Sequence, residues 1–350
     1  MEYGYVNARI KGMKSRLLTT HDLDELTNKP DLDAFISSLE ETAYREELQK
    51  AGIESAGLER IEVALRRDLI RAFQKVLSLF AGEREEVYIR IILNRWDIQN
   101  IKTLLRGKKI NAPTNEIRDC LLPAGELDMA ALLELSKQPD VRAIIDLLAT
   151  WRIDYSRPLT RNLPAYLDTR DLAVLELPLD RYYYERALSL LDNPEHYDQQ
   201  IILDMITTEI DITNIRTLLR ITREKMQDET IRDYLIDGGR YLSIERLESL
   251  ASSGSIPDIL VELGTTPYGF LGGIQPECIS AGRISVIERE LERFMIEKGC
   301  KNFLREPLSI AIPVAYIWAK QNEVINLRII AHSIIGDVPE SELRRALSYV

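Results

Sequence analysis

An acidic residue and an asparagine recur three positions apart at widely separated places in the chain. They are Asp97 and Asn100, Asp211 and Asn214, and Glu323 and Asn326. On a helix that spacing puts both polar groups on one face. The next residue of that face is Leu104, Leu218 or Ile330, so each pair borders an apolar stripe. Two kinds of chemistry suit such a pair. A catalytic site built from the carboxylates is one, with metal-dependent turnover as its signature. The other is a buried polar contact between helices, inherited with each copy. No nucleophile or histidine recurs beside the three pairs, which favours the structural contact. An unpaired buried asparagine costs about 1–3 kcal/mol, so each copy is expected to supply a partner. Glu62, Glu176 and Glu288 form one recurring acceptor set, and Arg67, Arg181 and Arg293 one donor set. Sequence does not assign them pairwise.

The elements carrying these pairs read as helices. Apolar residues at 61, 65, 69, 72 and 73 follow a 3.6-residue stripe, as do Ile98, Ile101, Leu104 and Leu105, and Ile244, Leu247 and Leu250. Alternating strand patterns bounded by turn residues are hard to find. The fold class expected is all-α.

The strongest signal is internal repetition. Asp97-Ile98-Gln99-Asn100-Ile101-Lys102-Thr103-Leu104-Leu105-Arg106 matches Asp211-Ile212-Thr213-Asn214-Ile215-Arg216-Thr217-Leu218-Leu219-Arg220 at an offset of 114 residues. The same offset takes Ile117-Arg118-Asp119 to Ile231-Arg232-Asp233, Gly125 to Gly239, and Glu62, Leu65 and Arg67 to Glu176, Leu179 and Arg181. A further 112 residues on, Glu323-Val324-Ile325-Asn326-Leu327-Arg328 aligns with Asp211 to Arg216, and Glu288, Leu291 and Arg293 with Glu176, Leu179 and Arg181. A looser echo is a Pro-Asp helix start ending near a threonine, at Pro30-Asp31 to Thr42, Pro139-Asp140 to Thr150 and Pro257-Asp258 to Thr266. The division expected is three homologous helical repeats, 1–112, 113–226 and 227–350. Seams fall in the polar stretches 107–115 and 222–228, of which the second could continue a helix.

Several function classes recede on composition and motif. At 45% hydrophobic and 29% charged the chain is long enough and apolar enough for two or three cored domains. A net charge of -11, with no basic run interleaved with aromatics, disfavours nucleic acid and anionic lipid as partners and suits basic protein surfaces. Cys120, Cys278 and Cys300 are odd in number and lack C-x-x-C spacing, so they read as reduced, structural residues. No secretory-type apolar core follows Met1, and no charge-free apolar run reaches about 18 residues; Leu308 to Ala319 is short and broken by Pro313. There is no P-loop. Residues 265–273 are glycine-rich but lack its Lys and Ser/Thr, and read as a turn. His21-Asp22 resembles half of a metal-phosphohydrolase signature, but the other histidines, His196 and His332, are not in ligand spacing, so helix capping or a polar loop is the better reading. Tyr182-Tyr183-Tyr184 spreads three rings around a helix and reads as packing. Neither a cofactor, a metal nor a catalytic residue is expected.

The element Asp97 to Lys108 resembles the most recognisable segment of the C-subunit family of archaeal and bacterial A/V-type ATPases, whose eukaryotic counterpart is the V-ATPase d protein: an acidic residue, then Asn-Ile-Lys and a basic end. The opening Tyr3-Gly4-Tyr5-Val6-Asn7-Ala8-Arg9-Ile10-Lys11-Gly12-Met13-Lys14-Ser15-Arg16-Leu17-Leu18 and Leu39-Glu40-Glu41-Thr42-Ala43-Tyr44 are similar to the same family. The third copy departs from the pattern, ending in Ile329-Ile330-Ala331-His332 in place of a Leu-Leu-Arg end. The resemblance implies a funnel-like, pseudo-threefold helical protein without a catalytic site of its own. It implies a connector between the central-stalk subunits and the membrane proteolipid ring of a rotary ATPase, carrying torque between ATP chemistry and ion translocation. One copy per complex is expected, held peripherally at the cytoplasmic face of the membrane by protein contacts. A generic helical-repeat scaffold of another assembly is the alternative that the triplication alone would allow.

Overall fold

A computed structural model describes residues 2–192, 194–224, 228–252, 254–274 and 284–349, without the side chains of 228–230. The expected boundary at 226 and 227, part of the second seam, and Cys278 lie outside the described residues. Among these residues every regular element is helical. The helices are α1 (Tyr3–Lys14), α2 (Thr20–Thr27), α3 (Leu32–Leu39), α4 (Arg45–Ala51), α5 (Gly57–Ser78), α6 (Glu86–Leu93), α7 (Arg95–Lys109), α8 (Thr114–Asp119), α9 (Met129–Ser136), α10 (Val141–Thr150), α11 (Ser156–Thr169), α12 (Ala173–Leu190), α13 (Tyr197–Glu224), α14 (Ile244–Ser252), α15 (Ile256–Glu262), α16 (Ile284–Cys300), α17 (Ala311–Gly336) and α18 (Glu340–Ala346). Short 3-10 turns cover Leu263–Thr265 and Gly269–Gly273, the glycine-rich stretch.

Local chemistry sets many helix starts. Asp31, Asp128 and Asp140 each accept a hydrogen bond from the backbone N–H three residues on, capping α3, α9 and α10. The third Pro-Asp echo is out of register. There Ser255 is the cap and Pro257-Asp258 lies in the first turn of α15, where a proline lacking its N–H costs nothing. His21-Asp22 is a capping element: Asp22 and Thr19 form a reciprocal capping box at α2. The bond from the Thr19 N–H, ahead of that from its hydroxyl, lowers the Asp22 pKa. The first seam is a turn between α7 and α8, with Asn111 in the left-handed region at φ 54°.

The chain forms two compact units. One comprises Met1–Thr160 with Gly299–Val350, the other Arg161–Lys298. In the first, α17 is the central element, packed against α5, α1, α2 and α3. It is buried on nearly every side from Ala311 to Val324, because Ala311-Ile312-Pro313-Val314-Ala315-Tyr316-Ile317-Trp318 offers no polar face. No helix among the described residues is long and apolar enough to cross a membrane. Phe35, Leu39, Leu48, Ile61, Leu65 and Phe73 close the core around it. Each such buried side chain contributes about 1.5–3 kcal/mol. In the second unit α13 packs on α12, α14 and α15, with Leu179, Ile202, Ile215 and Leu218 fully buried. Tyr183 and Tyr184 pack there with ring centroids 4.8 Å apart, and Tyr184 shares a hydrogen bond with Thr213.

Candidate functional site

Each asparagine clamps a loop that lies 22 residues downstream. Asn100 donates from Nδ2 to the Leu122 carbonyl at 2.8 Å and accepts from the Leu122 N–H at 2.8 Å. Asn214 does the same to Ile236 at 2.7 and 2.9 Å. Asn326 does it to Ser348 at 2.9 and 3.0 Å. A side-chain amide matches one residue's N–H and C=O with no atom left over, which makes it the right group to hold irregular backbone in a core.

The acidic partner of each pair holds the next piece of chain. Asp97 accepts from the N–H groups of Glu126 (2.7 Å) and Leu127 (3.1 Å) and from the Tyr155 hydroxyl (3.3 Å). Asp211 accepts from Tyr241 N–H (2.9 Å), Leu242 N–H (3.3 Å) and the Tyr268 hydroxyl (2.9 Å). Glu323 accepts from the Leu18 N–H and from the Tyr44 hydroxyl at 2.6 Å. The three tyrosines are at most 1% exposed. Glycine precedes two of these clamped backbones for a steric reason: a Cβ at Gly125 or Gly239 would run into the carboxylate of Asp97 or Asp211.

The third clamp is completed from the far side of the sequence. Tyr44 and Leu18 bond to Glu323 across 279 and 305 positions. Around it, Asn7 donates to the carbonyls of Pro307 (2.7 Å) and Ser309 (3.0 Å), and Asp24 accepts from Arg344 (2.7 Å) and Tyr349 (2.8 Å). This clamp also carries a cation. Lys320 Nζ, on the same helix, reaches Glu323 at 2.7 Å, Asp68 at 2.6 Å and the Tyr44 hydroxyl at 2.9 Å. Lys320, Asp68 and Glu323 are all buried, and a buried charge persists only when paired.

The electrostatics differ accordingly. Burial pushes the Asp97 carboxyl up to about 7, against the pull of its N–H and hydroxyl donors, and raises Asp211 for the same reason. Burial also works against the charge on Lys320, yet Glu323 and Asp68 hold its pKa above the ordinary lysine value. The Tyr44 phenol, buried and facing Glu323 and Asp68, is pushed well up and stays a donor.

Glu62 and Glu288 take partners from outside the arginine set. Glu62 forms an ion pair with Arg328 (2.8 Å) and faces the His332 imidazole (3.2 Å), and Glu288 accepts from Arg220 (2.6 Å). His332 stands six residues after Asn326, as Arg220 stands six after Asn214, so the departing third copy still places an imidazole against the corresponding glutamate. Glu176 lies in the first turn of α12. Arg67 pairs with Glu54 at 2.7 Å, Arg293 with Glu290 at 3.5 Å, and Arg181 donates to the carbonyls of Asp233 and Leu235.

Sequence reasoning missed the tyrosines and Lys320. A signal for two tyrosines was present. Thr42 and Thr266 each donate to the carbonyl three residues back and accept from the N–H of the tyrosine two residues on. Thr150 is not their counterpart; it bonds to Asp146 inside α10, and Ile153 precedes Tyr155 instead. Among the described residues no three His, Cys, Asp or Glu side chains stand together in a metal-holding group. Every donor of these carboxylates is backbone, tyrosine or lysine, the partners of a contact that holds structure.

Comparison with known proteins agrees over the whole length. The model of the ATP synthase (C/AC39) subunit family matches residues 6–346. The A-type ATP synthase C subunit of Methanococcoides burtonii is 32% identical over 347 residues, covering 99% of this chain and 94% of the relative. That of Archaeoglobus fulgidus is 30% identical, covering 99% and 96%, and that of Pyrococcus abyssi 30%, covering 98% and 89%. With a match of that extent laid over an all-helical chain, the protein belongs to the ATP synthase (C/AC39) subunit family.

Proposed function

We propose that this chain is the non-catalytic central-stalk connector of an A-type rotary ATPase, joining the rotating stalk to the membrane proteolipid ring and carrying torque between them. The observation that carries the reading is the family match over residues 6–346. The clamps support it physically. A coupling element must resist deformation, and each clamp ties irregular backbone to a core helix, in the first two by bonds buried away from water. In this reading the three clamped segments are copies of one bundle, 1–112, 113–226 and 227–350, set about a pseudo-threefold axis as a funnel. The bonding refines that division: the stretch from Leu18 to Tyr44 supplies for Glu323 what Glu126 to Tyr155 supplies for Asp97. The chain sits peripherally at the cytoplasmic face, one copy per complex, held by stalk and ring subunits.

The test is affinity purification of the tagged chain from membranes in mild detergent. Stalk subunits and the proteolipid are expected to co-purify, and the isolated chain is expected to hydrolyse no ATP. Purification that recovers neither partner, from membranes holding an assembled ATPase, would overturn the reading.

A further inference from the structure

We propose that a cavity in the first compact unit, between α1, α5 and α17, binds a small phosphate-bearing anion. The cavity measures about 640 Å³. Small-molecule sites span about 300–1,000 Å³, so its size suits a metabolite better than a peptide segment. Small residues make the room: Ala8, Gly12, Ala43 and Ala72 line it, and a Cβ on Gly12 would meet nothing within 4 Å.

The lining is cationic in a chain whose net charge is -11. Its acids are already engaged. Asp68 is held by Lys320 (2.6 Å) and Arg71 (2.7 Å), and Glu46 by Lys50 (2.7 Å) and Arg71 (2.9 Å). Arg9, Arg16 and Lys75 also line the cavity and have no carboxylate partner among the described residues. They are exposed and stand about its mouth, while Lys320 and Tyr316 are buried. Like charges gathered without counterions repel one another, and an entering anion relieves that repulsion. Guanidinium forks suit phosphate oxygens in particular.

A second observation is independent of the charge count. Tyr316 is 4% exposed and lines the cavity, yet its hydroxyl has no hydrogen-bond partner among the described residues. That hydroxyl is free to donate to an acceptor bound in the cavity. Burial pushes the phenol up to about 12, so it remains a donor at neutral pH. Met13 and Leu17 give the cavity an apolar wall for the organic part of such a ligand.

The experiment is isothermal titration of the full chain with inorganic pyrophosphate and with ADP. Saturable 1:1 binding is expected, weakening as salt rises. Arg16→Ala and Lys75→Ala should each weaken it about 10-fold or more, the scale of one charge-assisted hydrogen bond, and Tyr316→Phe by a smaller factor at unchanged melting temperature. Lys137→Ala, at an exposed Glu134 pair elsewhere in this unit, should change nothing. Co-sedimentation with phosphatidylglycerol vesicles that is lost in Arg16→Ala, without pyrophosphate binding, would assign the same phosphate chemistry to a lipid headgroup. Absence of binding to both, or binding that Lys137→Ala weakens as much as Arg16→Ala, would overturn the proposal. Neither result bears on recovery of stalk and ring subunits, so the connector reading stands or falls separately.

Discussion

Replacing Asn100 by alanine removes both hydrogen bonds to Leu122 and leaves its N–H and C=O in an apolar core with no water to replace them. Leu122 is buried, so each group forfeits its partner outright. An unsatisfied buried group costs about 1–3 kcal/mol. Partial relaxation of the loop offsets some of the two penalties, so the expected loss is about 2–4 kcal/mol. Asn214→Ala should cost about the same, because Ile236 is also buried. Asn326→Ala should cost less, since Ser348 is half-buried and its freed groups gain water. The assay is urea unfolding followed by far-ultraviolet circular dichroism, with amide exchange at Leu122 and Ile236 as the local readout. Exchange should accelerate at Leu122 in the first variant and remain slow at Ile236. If Asn100→Ala unfolds within about 0.5 kcal/mol of the parent with Leu122 still protected, the clamp contributes nothing and the reasoning fails.

Three further outcomes follow from the same geometry. The Asp97 carboxyl, raised by burial from its ordinary 3.8 to about 7, binds its proton more tightly in the native state than in the unfolded chain. Stability should therefore fall as pH rises from about 4 to about 7, by at most roughly 4 kcal/mol from this group, and Asp97→Asn should flatten that part of a stability–pH profile. Lys320→Met leaves the buried Glu323 without its cation and Asp68 with Arg71 alone; a loss of roughly 3–5 kcal/mol is expected in chemical denaturation, and a variant as stable as the parent would refute the pairing. Gly239→Ala drives a methyl into the Asp211 carboxylate and should cost roughly 1–3 kcal/mol, whereas Gly12→Ala, inside α1 with open space around it, should raise the thermal midpoint slightly, since alanine gains about 0.5–1 kcal/mol over glycine in a helix.

Helices such as α5, α7 and α14 were legible because one face of each is polar and the stripe keeps a 3.6-residue period. The first half of helix α17 was not, because burial on nearly every side erases the contrast that periodicity measures, whereas its second half was legible through the repeat at Glu323–Arg328. The recurring Asp or Glu with Asn was legible as a buried contact needing a partner. What the partner would be was not, since it is backbone, which carries no sequence signal: Leu122, Ile236 and Ser348 have no side-chain chemistry in common. Tyr155 and Tyr268 lie 58 and 57 residues from their carboxylates, beyond the reach of any helical spacing. Lys320 follows a long apolar run, and its i,i+3 pairing with Glu323 has a local signal, but its pairing with Asp68, 252 positions away, has none.

The bonds from Asn7, Leu18, Asp24 and Tyr44 to residues between 307 and 349 bear on how the molecule is made. A ribosome releases the earliest helices while their partners, some three hundred codons later, are still untranslated. During that interval α3 and α4 can pack on α5, but the apolar faces that α17 covers stay open, a state that invites chaperone capture or aggregation. Closing so long a loop is also slow relative to local pairing. Residues 161–298, whose clamp closes within 57 positions, are free to fold while the earlier segment waits, so synthesis should finish with a late stitching step that sets the rate of maturation.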